Sequence, residues 1–370
     1  MARSDTTQDT GFPNHSPAQG SLEAECRALG IDPAGVLDFS GAANPLGPPQ
    51  CIDLVLQQGV KLASTYPDLR HADARTAIAH AHGVDPQTVL LGNGGTELLY
   101  LATRHFHADR TLVLGPSSPD YTRAAELAGS GVELRLAPAA RLFRHDLSVM
   151  QNVADFHLVV LSNPNSPTGT VWRLDEIITW AAENPETFFL VDETYVDFIG
   201  RPNSSLVGIN CQNIVILKSL GPFFGIPGLR LGMLWARPEV VQLLEERREP
   251  RTVNRLAQKA AELLYAEQGY IAATHRLLSQ ERSFLTRGLT ELGFRVFDSP
   301  VSFLLLRIEY RGVTACTLKQ EALRNGVFVL DCTSVPGLGE QFIRVAVRRR
   351  HENERLLEAI GNVLRSAGLG

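Results

Sequence analysis

Short apolar runs alternate with amphipathic stretches along most of the chain. After a polar start, SLEAECRALG reads as a short amphipathic helix and VLDFSGAANPLGPP as a strand entering a Gly/Pro-rich loop. TVLLGNGGTELLYLATRHF reads as strand, glycine turn and helix, TLVLGPSSPDYTRAAELAG repeats that pattern, and VELRLAP adds a strand. FHLVVLSNPNSPTG ends a strand in an Asn/Pro/Gly loop, and LDEIITWAAE supplies the next helix. TFFLVDETYVDF, NIVILKSLG and LRLGMLWAR are three further strands. Several runs are apolar throughout, as strands covered by helices on both faces should be. The alternation predicts a largely parallel sheet with right-handed crossovers.

From about Pro238 the pattern turns helical, through PEVVQLLEERRE, NRLAQKAAELLYAE and IAATHRLLSQERSFLTRGLTEL. FRVFDSP, SFLLLRIEY, a helix near ACTLKQEALRN, VFVLD, FIRVAVR and a last helix after His351 then make a second α/β unit. The expected organisation is a disordered lead-in over 1–20, an N-terminal segment over 21–50 that packs with the small domain, a large domain over 51–275 and a small C-terminal domain over 276–370. No internal repeat is apparent.

Composition narrows the classes. Hydrophobic residues make up 44% and charged residues 20% of the 370, which suits a globule with a substantial core. A formal net charge of -5 gives nucleic acid or an anionic membrane no hold. The five cysteines (Cys26, Cys51, Cys211, Cys316, Cys332) lie far apart with no zinc spacing, so they read as thiols in a reducing compartment and no metal is expected. No apolar run approaches the roughly 20 residues of a membrane helix, and the start lacks the apolar stretch of a signal peptide. A soluble cytoplasmic protein is expected.

The residues with chemistry cluster at strand ends, where open parallel sheets bind ligands. Gly92-Asn93-Gly94-Gly95-Thr96 sits between strand and helix, where free amides and the helix dipole favour a phosphate; glycine turns are also common for structural reasons. Asp192 follows the buried run FFLV; it is either a capping group or a partner for a protonated ring nitrogen. Ser219 ends another strand and Arg230 lies eleven residues on, each suited to phosphate oxygens or to a structural role.

Taken in order, NPLG (44–47), YPD (66–68), GNGGTE (92–97), NPNSPTG (163–169), DETYVDF (192–198), PGLRLG (227–232) and FIRVAV (342–347) resemble the fold-type I pyridoxal-phosphate (PLP) enzymes of the aminotransferase superfamily, class I/II. Histidinol-phosphate aminotransferase and threonine-phosphate decarboxylase are the most similar members. The resemblance spans roughly residues 37–365 and implies an α/β fold: a large domain with a mostly parallel central sheet flanked by helices, and a smaller C-terminal α/β domain. It also implies roles. The amides of Gly95 and Thr96, with Ser219 and Arg230, would hold the cofactor phosphate, and Tyr66 would reach that phosphate from the other subunit of a homodimer. Asp192 would contact the pyridine nitrogen and Tyr195 the phenolic oxygen. Arg344 would take the carboxylate of a small-molecule substrate, with Asn44 beside it.

Three departures accompany these matches. The family's Schiff-base lysine stands eight residues before the arginine of PGLRLG, and here that position is Pro222. Proline has no amine to attach a cofactor or to move a proton. Lys218 lies four residues earlier, where the family has arginine. The ring-stacking aromatic of the family is Ser118, and the asparagine before PTG is Ser166; Tyr121 or Asn165 are candidates to compensate. Three readings follow: an enzyme holding PLP or PMP non-covalently, a PLP-independent enzyme of lyase type that reuses the pocket for a phosphorylated, carboxylate-bearing substrate, and a catalytically dead homologue acting as a binding partner.

Overall fold

A computed structural model describes residues 21–106 and 108–369, so the expected lead-in over 1–20 lies outside the described residues. Among the described residues thirteen strands run in chain order: β1 (Leu37–Asp38), β2 (Val89–Gly92), β3 (Arg110–Gly115), β4 (Gly131–Leu136), β5 (Leu158–Ser162), β6 (Phe188–Asp192), β7 (Ile214–Ser219), β8 (Gly232–Trp235), β9 (Arg295–Val296), β10 (Phe303–Arg307), β11 (Val327–Phe328), β12 (Leu330–Asp331) and β13 (Phe342–Ala346). Seven form the central sheet in the order β2-β8-β7-β6-β5-β3-β4. All neighbours are parallel except β8, which is antiparallel to both β2 and β7. The expected mostly parallel sheet, covered by helices, is the architecture found.

Side-chain alternation along each strand sorts the core into two layers. Leu90, Val113, Val160, Leu190, Val215 and Leu217 pack with Leu98, Tyr121 and Val240 from the helices Gly94–His105, Pro119–Leu127 and Pro238–Arg247. Leu91, Leu112, Val159, Val191 and Ile216 pack on the other face with Ile78, Ile177 and Leu278. This parity decides below which strand-end residues can share a site.

A second sheet, β12-β13-β10-β9, is antiparallel, and residues 37–39 join its neighbourhood. β1 pairs in parallel with β11, and the Ala346 amide donates to the Phe39 carbonyl at 2.8 Å. The stretch VFVLD, read as one strand, is two short ones, because β11 serves β1 while β12 serves β13. The helix Gln268–Glu291 runs unbroken through residue 275. Among the described residues no helix is long and apolar enough to cross a membrane.

The segment 44–47 clasps the turn 220–226 that follows β7. The Asn44 amide N–H donates to the Pro222 carbonyl at 2.8 Å, and its side-chain Nδ2 donates to the Phe223 carbonyl at 2.8 Å and to Thr274 Oγ1 at 2.7 Å. Asn44 Oδ1 accepts from the Leu46 amide at 3.0 Å. Gly225, at φ +63°, lies so close that a Cβ there would stand 2.6 Å from the Gly47 carbonyl carbon. Asn44→Ala would strand the Leu46 amide and leave the Phe223 carbonyl with only the Tyr270 hydroxyl, at 3.2 Å, as a side-chain donor. The variant should lose about 1–3 kcal/mol of stability, read as a lower urea midpoint at unchanged slope.

Candidate phosphate and carboxylate site

Backbone approach builds the first half of the site. Gly94 opens the helix Gly94–His105 at φ +79°, and a Cβ on it would meet Arg230 Nη2 at 2.7 Å. A Cβ on Gly95 would stand 3.3 Å from the Ser219 Cβ, and one on Gly232 would stand 2.6 Å from the Gly94 carbonyl carbon. Only glycine allows the helix start, the end of β7 and the start of β8 to converge like this. The amides of Gly95 and Thr96 belong to the first helical turn, which has no intrahelical acceptors and carries the positive end of the dipole. Ser219 is held by its own amide, which donates to Thr194 Oγ1 at 3.0 Å. Arg230 adopts φ +56° after the short turn Pro227–Leu229. Gly95, Thr96, Ser219 and Arg230 are thus brought together as a cradle with amide, hydroxyl and guanidinium donors, the chemistry of a phosphate site.

Asp192 ends β6, on the same face as Ser219 by the alternation described above. Its Oδ2 accepts from Tyr121 Oη at 2.7 Å and its Oδ1 from the Thr194 amide at 2.8 Å. Burial pushes its carboxyl above the ordinary carboxylate value, against the lowering effect of these two donors. The Tyr121 hydroxyl is in turn driven well up by burial and by the Asp192 charge. Neither Tyr121 as the Asp192 donor nor Thr194 as the clamp on both Asp192 and Ser219 had a sequence signal. Their roles follow from strand neighbours that come together only in the sheet.

Arg344 lies in the middle of β13 and is 6% exposed. Its Nη1 donates to Ser166 Oγ at 2.9 Å and its Nη2 to the Ser40 carbonyl at 2.5 Å, and its guanidinium sits 4.9 Å from the centre of the Phe303 ring. Among the described residues it has no carboxylate partner, and its buried Nε makes no hydrogen bond. Tyr195 meets the same Phe303 ring edge-on at 5.1 Å. Burial raises its hydroxyl above the ordinary value and the Arg344 charge works against that rise. Arg344 and Ser166 face a cavity of about 330 Å³ lined also by Ser117, Ser118, Asp120 and Asp331.

The other candidates are placed elsewhere or otherwise engaged. Lys218 points to the opposite face of the sheet from Asp192 and Ser219. It is 1% exposed, its Nζ lies 2.7 Å from Asp197 Oδ1, and Tyr265 Oη donates to the same carboxylate at 3.3 Å. The chain has only three other lysines. Lys259 pairs with Glu262 and Lys319 with Glu25, and Lys61 is exposed on the helix Gly59–Ala63. Pro222 sits in the turn after β7 with its carbonyl bound by Asn44. Asn44 commits its amide to that turn. Asn165 donates to the Pro116 carbonyl at 2.7 Å and to Thr168 Oγ1 at 2.6 Å, so its amide holds its own loop. Tyr66 is 86% exposed, with the Arg251 guanidinium 5.3 Å from its ring centre.

Comparison with known proteins bears on this arrangement as a whole. The family model described as aminotransferase class I and II matches residues 38–360. The chain is 31% identical to the threonine-phosphate decarboxylase of Salmonella typhimurium over 353 residues, covering 93% of this chain and 96% of that one. It is also 31% identical to the histidinol-phosphate aminotransferase of Anaeromyxobacter over 350 residues, covering 93% and 94%. Its fold is similar to the crystal structure of histidinol-phosphate aminotransferase from Clostridium acetobutylicum (TM-score 0.83, 25% identity, 90% of this chain and all of that one). It is similar too to that of L-threonine-O-3-phosphate decarboxylase from Porphyromonas gingivalis (TM-score 0.78, 25% identity, 89% of this chain and all of that one). The cradle, the strand-end aspartate and the buried arginine are therefore carried on a fold-type I framework, and the chain belongs to the aminotransferase class I and II family.

Proposed function

We propose that this chain binds a pyridoxal-type phosphate, PLP or PMP, without a covalent bond to the protein, and acts on a small amino-acid-like acid. The observation that carries the reading is a mismatch: Gly95, Ser219, Arg230 and Asp192 converge at one end of the sheet, while Lys218, the nearby strand-end amine, turns to the opposite face and pairs with Asp197. Gly95, Thr96, Ser219 and Arg230 would hold the phosphate, and Asp192, already clamped by Tyr121 and Thr194, would hold the ring nitrogen in its protonated form. Such a cofactor supplies an electron sink for the substrate carbon that bears the amino group. Arg344 would take the substrate carboxylate, a fork that lysine replaces poorly. Tyr195, kept protonated by burial, acts as a hydrogen-bond donor rather than as a base. Pro222 at the family lysine position leaves the proton on the substrate carbon with no protein amine to move it. Relatives named for threonine phosphate and histidinol phosphate favour a phosphorylated substrate.

A second reading, enzymatic turnover with no cofactor, draws support from the cavity beside Arg344. Ser117, Ser118 and Ser166 line it with hydroxyls and Asp120 and Asp331 with carboxylates, a polar wall poorly matched to the face of an aromatic ring. A phosphorylated acid would then span from the cradle to Arg344. A catalytically dead binding partner is the least favoured reading, because a buried Asp192 and Arg344 cost stability unless something uses them.

A homodimer fits the surface of the N-terminal helices. Leu54, Leu56, Val60, Tyr66 and Leu69 are between 52% and 88% exposed within one short stretch, a run that monomers rarely leave open. Tyr66 would then complete the neighbour's cradle.

Three outcomes are expected. Arg230→Ala should weaken PLP binding, or that of a phosphorylated substrate, by about 2–3 kcal/mol through loss of a charge-assisted pair; unchanged affinity by calorimetry would remove Arg230 from the cradle. Borohydride treatment with excess PLP should leave Lys218 unmodified by mass spectrometry, while Pro222→Lys should gain a reducible adduct. A reduced PLP–Lys218 peptide from the unaltered chain would sink the lysine-free reading, and a Pro222→Lys chain that takes up no PLP would favour the cofactor-free one. Sedimentation at micromolar concentration should show a dimer, and Tyr66→Ala should weaken the phosphate ligand; a monomer would remove Tyr66 from the site.

A further inference from the structure

Behind the loop 166–169 lies a depression that no step above uses. Its larger lobe, about 780 Å³, is lined by Leu142, Arg144, Arg173, Arg201, Phe297 and Asp298 among others. Its smaller lobe, about 310 Å³, is walled by His145, Trp172 and Trp180. The two share Arg144 and the segment 170–173, so they adjoin across one ridge. Both volumes fall within or near the range of small-ligand pockets.

The aromatic wall is held in place. The Trp172 amide donates to Asn163 Oδ1 at 2.9 Å, which anchors the ridge to the end of β5. The indole lies parallel to the His145 ring, 5.4 Å away at 15°, and edge-on to Trp180 at 4.9 Å. Burial pushes His145 below its ordinary value, so at neutral pH it is an uncharged flat ring. Such a surface suits the face of another flat ring.

The charges of the larger lobe are unevenly matched. In the larger lobe Arg173 is taken by Asp175, with Nε 3.0 Å from Oδ1, which leaves Arg144 and Arg201 against the single carboxylate of Asp298; in the smaller lobe Asp146 is taken by Arg141. Glu176 accepts from the Arg173 amide at 3.3 Å and caps its own helix. Arg144 and Arg201 are exposed and form no ion pair among the described residues. Two uncommitted guanidiniums beside a flat aromatic wall are the chemistry of an anion that carries a planar ring.

We propose that this depression is a second ligand site, distinct from the phosphate cradle, for a nucleotide: its base lies against the His145–Trp172 wall and its phosphate between Arg144 and Arg201. Thr168 and Gly169 line this depression while Ser166 and Pro167 line the Arg344 cavity. The two sites therefore sit on opposite sides of one short loop. The test is calorimetric titration of adenosine 5′-monophosphate into the full chain. Binding is expected, and the double variant Arg144→Ala with Arg201→Ala should weaken it at least about tenfold, the loss of two charge-assisted contacts. Both residues are exposed, so the variant should keep its fold. Arg230→Ala should leave nucleotide affinity unchanged, and ribose 5-phosphate, which lacks the ring, should bind at least about tenfold more weakly. Three results would each overturn the site: no binding at millimolar nucleotide, loss of binding in Arg230→Ala with retention in the double variant, or equal affinity for ribose 5-phosphate.

Discussion

The close approach of three glycines is the constraint on which the rest of the site depends. Gly94, Gly95 and Gly232 let the first turn of a helix touch the ends of β7 and β8, and a single methyl group at Gly232 would drive into the Gly94 backbone. With that contact in place, two amides, the Ser219 hydroxyl and the Arg230 guanidinium fall within one small volume. The convergence of these donors is a property of backbone geometry first and of side chains second. Arg230 supplies the charge, but it can be there only because Gly94 has no side chain.

Strand alternation then divides the chemistry between two faces of the same sheet. Asp192 and Ser219 turn toward the helix that opens at Gly94. Glu193 and Lys218, one residue out of step, turn the other way toward a polar cluster with Asp197 and Tyr265. There Lys218 is neutralised by Asp197 at 2.7 Å, and burial pushes the Glu193 carboxyl up to about 7. Buried charge of this kind is tolerated because each member is paired or hydrogen-bonded. The same parity that brings Asp192 and Ser219 to one face turns the nearby amine to the other.

Arg344 is placed by a different logic. It comes from the second sheet, and its guanidinium is held by Ser166 and the Ser40 carbonyl above the Phe303 ring. The Ser166 contact, at 2.9 Å, ties it directly to the loop after β5, at the edge of the cavity that both residues line. The hydroxyls of Ser117, Ser118 and Ser166 leave that space polar, which governs what can lie between the phosphate cradle and the arginine.

Much of this was legible in the sequence. The apolar runs marked buried strands and the collinear motifs marked the family, because these are local or fixed-spacing features. Asn44 looked like a ligand group and is a clasp for the turn 220–226, since its partners are the Phe223 carbonyl and Thr274, far away in the chain. Tyr121 and Asn165 both looked able to compensate for lost ring contacts; one binds Asp192 and the other its own loop. Residue types and spacings by themselves determined the strands, the glycine-rich helix start and the absence of an amine at position 222. Only the tertiary structure decided which face each strand-end residue presents and which polar atoms are already taken, because parity across a sheet and long-range hydrogen-bond partners are set by how the strands come together, not by their order along the chain.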